Sequence, residues 1–337
     1  MSAQKNLLIN KDAEMQAWMG VLRRLGAADR CRAACACSLL RDCCARINVL
    51  DVSGGQEALP VLIEGTVETA MALRATVDYS AICWGRQEYN ALGGGCDCVG
   101  QDCCASGSCT CCVAGLASEA PLECGPACGC AAVCTRRVTQ QPVALPLTLV
   151  AGAAGWGVRT EAVIPAGVFV CTYAGEMLTS PEAVVRRAIY ASAADNYLLT
   201  AREHVDGLST FVVHVDPTIR GNVARWMNHA CSPPQCNLAS VFARSAGWPV
   251  PRIAFFSARR ICAGEELRFN YGADDGVDGG GGCQPQPLAA AAAAAARPPA
   301  AEVGSRALAA LPSIAAQRKR CLCRGAACTG YLPFSSL

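Results

Sequence analysis

At 337 residues the chain is long enough for two domains, or for one large domain with appendages. A net charge of +2 with 17% charged residues gives no bulk basic surface for a polyanion and no acidic tail, so there is no strong direct nucleic-acid signal. The anomaly is 25 cysteines, a usage that signals either a disulfide framework in a secreted chain or thiolate metal sites in a reducing compartment.

The N-terminus decides between those two. It reads MSAQKNLLINKDAEMQ, in which the apolar run Leu7–Ile9 is too short for a secretory segment and charges follow at once. No charge-free apolar stretch approaches the ~18 residues of a membrane helix, the alanine run Ala289–Ala296 being too short and too weakly hydrophobic. These features predict no membrane segment, a soluble chain in a reducing compartment, and clustered cysteines that ligate metal. A secreted disulfide protein is the rival, and elemental analysis separates the two.

Residues 12–50 place Met15, Trp18, Met19, Leu22 and Leu25 at helical spacing and predict one or two amphipathic helices with that stripe packed inward. Cys31, Cys35, Cys37, Cys43 and Cys44 fall here without a paired C-x-x-C spacing, so packing is preferred over a metal site. From Cys96 to Cys134, cysteine and glycine leave too few apolar residues for an ordinary core. Residues 143–272 alternate short β-type runs (GVFVCTYAGE, FVVHVD, RIAFFSARRI) with turn signals, which predicts short strands in several small sheets. One helix, Pro181–Ala191, interrupts them, with Ser180 as N-cap and Pro181 in the first position. Residues 276–316 are rich in Gly, Ala and Pro and read as a linker, and the motif CLCRGAACTGYLPF follows it.

The thiol-rich segment is spaced Cys96-x-Cys98-x5-Cys104-x4-Cys109-x-Cys111, then twelve residues, then Cys124-x3-Cys128-x-Cys130-x3-Cys134. Zinc takes four ligands, so three ions need about twelve ligand positions, which nine cysteines fill if three thiolates bridge. Three ions at +2 against nine thiolates leave about −3, which Arg136 and Arg137 partly offset. Metal here stands in for a hydrophobic core. This spacing, with the exit CTRRVTQ and the preceding DVSGGQEALPV (Asp51–Val61), resembles the pre-SET segment of the suppressor-of-variegation class of histone H3 lysine-9 methyltransferases. That resemblance implies a triangular three-zinc cluster, with Cys103 and Cys112 surplus to it.

Residues 146–272 resemble a SET domain through GWGVRTEAVIPAGVFVCTYAGE, DNYLL, GNVARWMNHACSP and RIAFFSARRICAGEELRFNYG. The resemblance implies a mostly β fold with a knot-like C-terminal part and S-adenosyl-L-methionine as cofactor. It assigns cofactor contacts to Gly155, Trp156, Gly157, Tyr197, Arg225, Asn228, His229 and Tyr271. Glycines beside an aromatic also suit close backbone approach to a flat ligand. Tyr271 matches the catalytic tyrosine, Tyr173 a second channel tyrosine, and Phe269 a position held by phenylalanine or tyrosine, where phenylalanine leaves room for di- or trimethylation. Cys321, Cys323 and Cys328 resemble the post-SET motif, whose fourth zinc ligand is here Cys231, and Tyr331 falls where an aromatic covers the cofactor.

Two departures stand out. The chain reads CSPPQCN where the family has C-x-P-N, so Pro234 replaces the asparagine and Cys236 adds a rival thiol. Thr200 stands where some relatives place an acidic residue against the arginine before the target lysine. No methyl-lysine reader, ankyrin array or methylated-DNA-binding domain is recognisable in residues 1–95.

The expected organisation is a helical segment (1–50), a three-zinc pre-SET segment (51–141), a SET catalytic domain (142–275), a linker (276–316) and a one-zinc post-SET motif (317–337). The expected function is transfer of methyl groups to a histone H3 lysine, lysine 9 first, on the H3 tail or the nucleosome, in the nucleus and on the chromosome. The alternatives are an inactive SET-type chromatin scaffold and a methyltransferase for another histone or non-histone lysine. The sequence gives no oligomeric state.

Overall fold

The computed structural model describes residues 13–85, 95–98, 122–132, 134–190, 196–204, 210–232, 234–248, 250–272, 320–325, 328 and 330–332. The predicted linker 276–316 lies outside the described residues. Helices α1 (residues 13–22), α2 (Ala27–Ala34) and α3 (Ser38–Leu50) open the chain. The side of α1 that meets α3 runs through Met15, Met19 and Leu22, the Met15 carbonyl accepting from Cys43 Sγ at 3.7 Å. Trp18, expected in this stripe, is instead 41% exposed because the buried edge is narrower than the periodicity implied.

Of the five N-terminal thiols two are packing groups, whereas Cys31, Cys35 and Cys37 are exposed and Cys37 Sγ accepts from Leu40 N (3.5 Å) at the start of α3. Cys43 and Cys44 are buried, the second donating to Arg30 O at 3.4 Å, and burial pushes both thiols up from their ordinary pKa. Among the described residues the five form no group of three that could share an ion.

Asp51 ends α3 and organises the next loop. Its carboxylate accepts from Ser53 N (3.0 Å), Ser53 Oγ (2.7 Å), Gly55 N (3.1 Å) and Val61 N (3.0 Å). The loop turns through Gly54 and Gly55 at φ +60° and +82°, a region costly for any residue with a Cβ. It delivers β1 (Leu62–Ile63), then α4 (Val67–Thr76) and β2 (Asp78–Tyr79).

The remaining strands are short, as expected: β3 (Leu122–Glu123), β4 (Leu147–Gly152), β5 (Gly155–Thr160), β6 (Phe169–Thr172) and β7 (Glu176–Leu178). After helix α5 (Ser180–Tyr190) come β8 (Leu199–His204), β9 (Thr210–Asp216), β10 (Arg220–Gly221) and β11 (Asn228–His229). The set closes with β12 (Leu238–Ser245), β13 (Arg252–Ser257) and β14 (Arg268–Phe269).

They form five small sheets in the orders β1-β4-β5, β10-β2, β11-β14, β3-β12-β13-β6 and β7-β9-β8. The segment before residue 142 thus supplies an edge strand to three of them, through β1, β2 and β3. Buried Glu57 adds a further tie, accepting from Tyr79 Oη and Val143 N at 2.6 Å each. Leu147, Leu149, Val158, Ile164, Phe255, Ile261 and Leu267 fill the shared core.

The cap of α5 differs by one residue from the sequence expectation. Thr179 holds the cap position, its N–H and Oγ1 both donating to Glu182 Oε2 (2.9 and 2.8 Å), while the predicted cap Ser180 bonds His214 Nε2 at 3.1 Å. A glutamate three residues after the threonine was the capping-box signal that favoured the earlier start.

Candidate active site

The site residues comprise two thiol clusters and an aromatic centre, the second cluster adjoining that centre through Cys231 and His229. In the first, the Sγ atoms of Cys96, Cys124 and Cys128 lie within 4.8 Å of one another, and so do those of Cys124, Cys130 and Cys134. Cys124 belongs to both groups and is fully buried, so it would be the ligand the two groups share. Tetrahedral zinc with Zn–S near 2.3 Å spaces its sulfurs about 3.8 Å apart, so these separations fit the group. Cys98 packs against the same cluster, whereas Cys104, Cys109 and Cys111 lie outside the described residues.

Only glycine permits the tight wrapping of this segment at residue 125, where a Cβ would come 1.9 Å from Ala246 O. Arg137 is 9% exposed and donates to Gly125 O (2.9 Å) and Cys130 Sγ (3.6 Å), so one of the two expected cations does face the sulfurs. Arg136 donates to Leu122 O at 2.9 Å.

The second cluster gathers Cys231, Cys321, Cys323 and Cys328, again within 4.8 Å and all half-buried. Cys231 Sγ lies 3.5 Å from Cys321 Sγ and 3.8 Å from Cys328 Sγ, far beyond a disulfide bond and suited to a four-thiolate zinc site. The rival thiol Cys236 points away. It is 2% exposed and donates to Ala230 O at 3.3 Å.

At the aromatic centre, β11 and β14 pair in parallel, Asn228 opposite Arg268 and His229 opposite Phe269. That register joins two motifs far apart in sequence. Rings of His229, Tyr271, Phe269 and Phe255 follow one another at centroid separations of 5.1, 4.7 and 4.5 Å, and Tyr173 stands edge-on to Phe255 at 6.2 Å. Tyr271 Oη donates to Met227 O (2.6 Å) and its backbone N–H to His229 Nδ1 (3.1 Å). Tyr173 Oη donates to Tyr197 O at 2.6 Å. Burial raises both phenols from their ordinary pKa, so they stay protonated. Burial lowers His229 to about 4, leaving a neutral imidazole whose Nδ1 can accept.

On the other side of β11, Asn228 Nδ2 donates to Trp156 O (3.3 Å) and Glu266 Oε1 (2.8 Å). A Cβ on Gly157 would stand 2.6 Å from that Glu266 oxygen and 3.1 Å from Asn228 Nδ2, so the bare backbone here is a fitted cradle. Neighbouring Gly155 takes φ +89°. Arg225 lies flat over Tyr197 at 4.1 Å and is tied to Pro217 O and Thr218 O at 3.0 and 3.2 Å. Backbone approach, an amide, a stacked cation and aromatic rings together fit a flat, polar-ended ligand of the S-adenosyl-L-methionine kind. Tyr331 is 45% exposed on the C-terminal tail, in a bridge with Arg320.

Thr200 Oγ1 lies 2.8 Å from His214 Nδ1 and accepts from Arg187 Nη2 at 2.5 Å, so the hydroxyl at this position is engaged within the fold by His214 and Arg187. Sequence reasoning passed over Glu266, Phe255 and Asn237. Glu266 and Phe255 sit inside strand-like runs that read as ordinary strand, and only the close approach to Gly157 exposes the first. Asn237, 1% exposed, supplies Oδ1 to Arg268 N (2.8 Å) and Nδ2 to Glu266 O (2.8 Å).

The SET domain family matches residues 155–272. The chain is 40% identical over 185 residues to histone-lysine N-methyltransferase SUVR3 of Arabidopsis thaliana, a match covering 53% of this chain and 51% of that protein. It therefore spans about half the length of that relative. To the Caenorhabditis elegans protein named "Probable histone-lysine N-methyltransferase set-23" it is 31% identical over 268 residues, covering 74% of this chain and 91% of that protein. Among solved structures, the methyltransferase domain of human histone-lysine N-methyltransferase SETMAR is similar with a TM-score of 0.60 at 28% identity, over 86% of this chain and 99% of that one.

Proposed function

The chain belongs to the SET-domain family of histone-lysine N-methyltransferases, and from that premise we propose that it transfers methyl groups from S-adenosyl-L-methionine to histone H3, at lysine 9. The observation that carries this reading is the β11–β14 pairing, which sets His229 opposite Phe269 and against the ring of Tyr271, while its neighbour Asn228, opposite Arg268, reaches the Trp156–Gly157 backbone and Glu266. A ligand-binding face and an aromatic channel then share one wall.

The cofactor, when bound, supplies a methyl group already activated by its sulfonium centre, so the protein needs little acid or base strength. In this reading Gly155, Trp156, Gly157, Tyr197, Arg225, Asn228, His229 and Tyr331 hold it. Tyr173, Phe269 and Tyr271 wall the lysine channel and exclude water, with fully buried Phe255 packed behind Tyr173 and Phe269. Tyr271, its proton committed to Met227 O, turns its oxygen lone pairs toward an uncharged lysine amine and aligns it for in-line attack. Phe269 carries no hydroxyl to tether the amine, which favours di- or trimethylation. Three zinc ions on Cys96, Cys98, Cys104, Cys109, Cys111, Cys124, Cys128, Cys130 and Cys134 hold the pre-SET segment. A fourth on Cys231, Cys321, Cys323 and Cys328 fastens the post-SET tail. Histone H3 as substrate implies a nuclear, chromosomal site of action with the H3 tail or nucleosome as partner.

The test is isotope transfer from labelled cofactor to recombinant H3, with calorimetry of cofactor binding in parallel. Wild-type protein should bind and transfer, and Tyr271→Phe should bind without transferring. Binding without transfer by the wild type would leave an inactive scaffold as the better reading.

A further inference from the structure

The loop Cys231–Asn237, CSPPQCN, is three residues longer than the family's C-x-P-N spacing. Its far end is anchored: Cys236 and Asn237 are 2% and 1% exposed, the thiol bonded to Ala230 O and the amide to Glu265 Oε1 (3.0 Å) and Glu266 O (2.8 Å). Ahead of that anchor Pro234 is exposed and half-buried Gln235 meets the C-terminal tail. There Gln235 Oε1 accepts from Ser232 Oγ (3.1 Å) and Nε2 donates to Cys323 O (3.1 Å). The serine bond fixes which end of the amide faces the tail.

The tail is shaped to receive it. A Cβ on Gly325 would lie 2.2 Å from Gln235 Oε1, so only glycine allows this approach, and Arg324 before it takes φ +55°. The bond is made to the backbone of Cys323 and uses none of the four sulfurs. That matters because three of the quartet's sulfurs belong to the tail and one, Cys231, to the body of the fold. An ion bound there joins tail to body through a single ligand, and such a joint can pivot. The Cys231 backbone also bonds the Cys323 thiol, close to that joint, and the bond at Cys323 O adds a side-chain tie from a different residue that restricts the rotation.

We infer that Gln235 is a positioning residue, a metal-independent latch that fixes the orientation of the turn Cys321–Gly325 and with it the tail beside the aromatic centre. The inference rests on the proposed zinc quartet and cofactor site. It concerns how the tail is held, which can be read without methyl transfer.

The experiment is hydrogen–deuterium exchange on the zinc-loaded full chain, comparing wild type with Gln235→Ala, Gln235→Glu, Gly325→Ala and the double variant Gln235→Ala/Gly325→Ala. Loss of one net hydrogen bond predicts about fivefold faster exchange in peptides spanning Arg320–Gly325, with zinc content unchanged. Gln235→Glu keeps the shape but loses the donor, and should match or exceed the alanine variant. Gly325→Ala should act alike by driving the amide away, and the double variant should be no worse than either single one. KM for the cofactor should rise by a similar factor while kcat stays within about twofold. Unchanged exchange in Gln235→Ala, or additive effects in the double variant, would overturn the latch. Faster exchange in a chain that transfers no methyl group would instead leave the latch standing and remove the proposed activity.

Discussion

Gly157→Ala tests the cradle with the smallest possible perturbation. The φ of Gly157 is not in the left-handed region, so alanine strains no backbone, and the whole effect comes from one methyl group. Placed 2.6 Å from Glu266 Oε1, that methyl stands well inside ordinary contact distance, and the carboxylate has to swing away. Swinging breaks the 2.8 Å bond from Asn228 and loosens the ion pair with Arg268. A hydrogen bond to a charged acceptor contributes about 1.5–3 kcal/mol and a part-exposed ion pair at most about 1 kcal/mol. With partial relaxation the expected loss is about 1–3 kcal/mol, or roughly 5- to 150-fold in cofactor affinity. Calorimetric titration with S-adenosylhomocysteine reads it directly. Adding Glu266→Ala should relieve the clash, so the second substitution should cost far less in the alanine background than in the wild type. Wild-type affinity in Gly157→Ala would refute the placement of the ligand against this backbone.

Other expectations follow from the same geometry. Tyr271→Phe orphans the buried Met227 carbonyl and should cost about 1–2 kcal/mol in chemical denaturation while lowering transfer by ~10²–10³-fold with zinc content intact. Phe269→Tyr should shift the product toward monomethyl-lysine in peptide mass spectra, and an unchanged product distribution would remove Phe269 from the channel. Cys231→Ser should lower zinc by one ion per chain in elemental analysis and weaken cofactor binding, leaving the pre-SET ions in place. His214 is buried, with Arg187 and Arg202 adding like charge, and its pKa falls to about 4. As pH drops from about 6.5 toward 4 the unfolded chain binds a proton that the folded chain refuses. Stability present in full above pH 6.5 is then lost, by up to roughly 3 kcal/mol. Thermal unfolding across that range should show a shallower slope for His214→Gln.

Much of the site was legible because its chemistry is local in sequence. The spacing of Cys124, Cys128, Cys130 and Cys134 dictates that their sulfurs can converge, and NH and FNY each announce a polar or aromatic cluster. Contacts made through long-range register were not legible. Phe255 joins the ring series only because β13 pairs with β6 and β12, and Glu266 reaches Asn228 only because β11 lies against β14. The role of Asn237 was hidden for the same reason, since only the fold brings it against Glu265, Glu266 and Arg268. Trp18 shows the limit of periodicity, which finds an apolar stripe but not how much of it a neighbour covers.

The most direct measurement is tandem mass spectrometry of recombinant histone H3 after incubation with the purified zinc-loaded chain and S-adenosyl-L-methionine. The account predicts di- and trimethyl groups on lysine 9, absent with Tyr271→Phe. Unmodified H3, from a chain that binds the cofactor and holds its full complement of zinc, would contradict it.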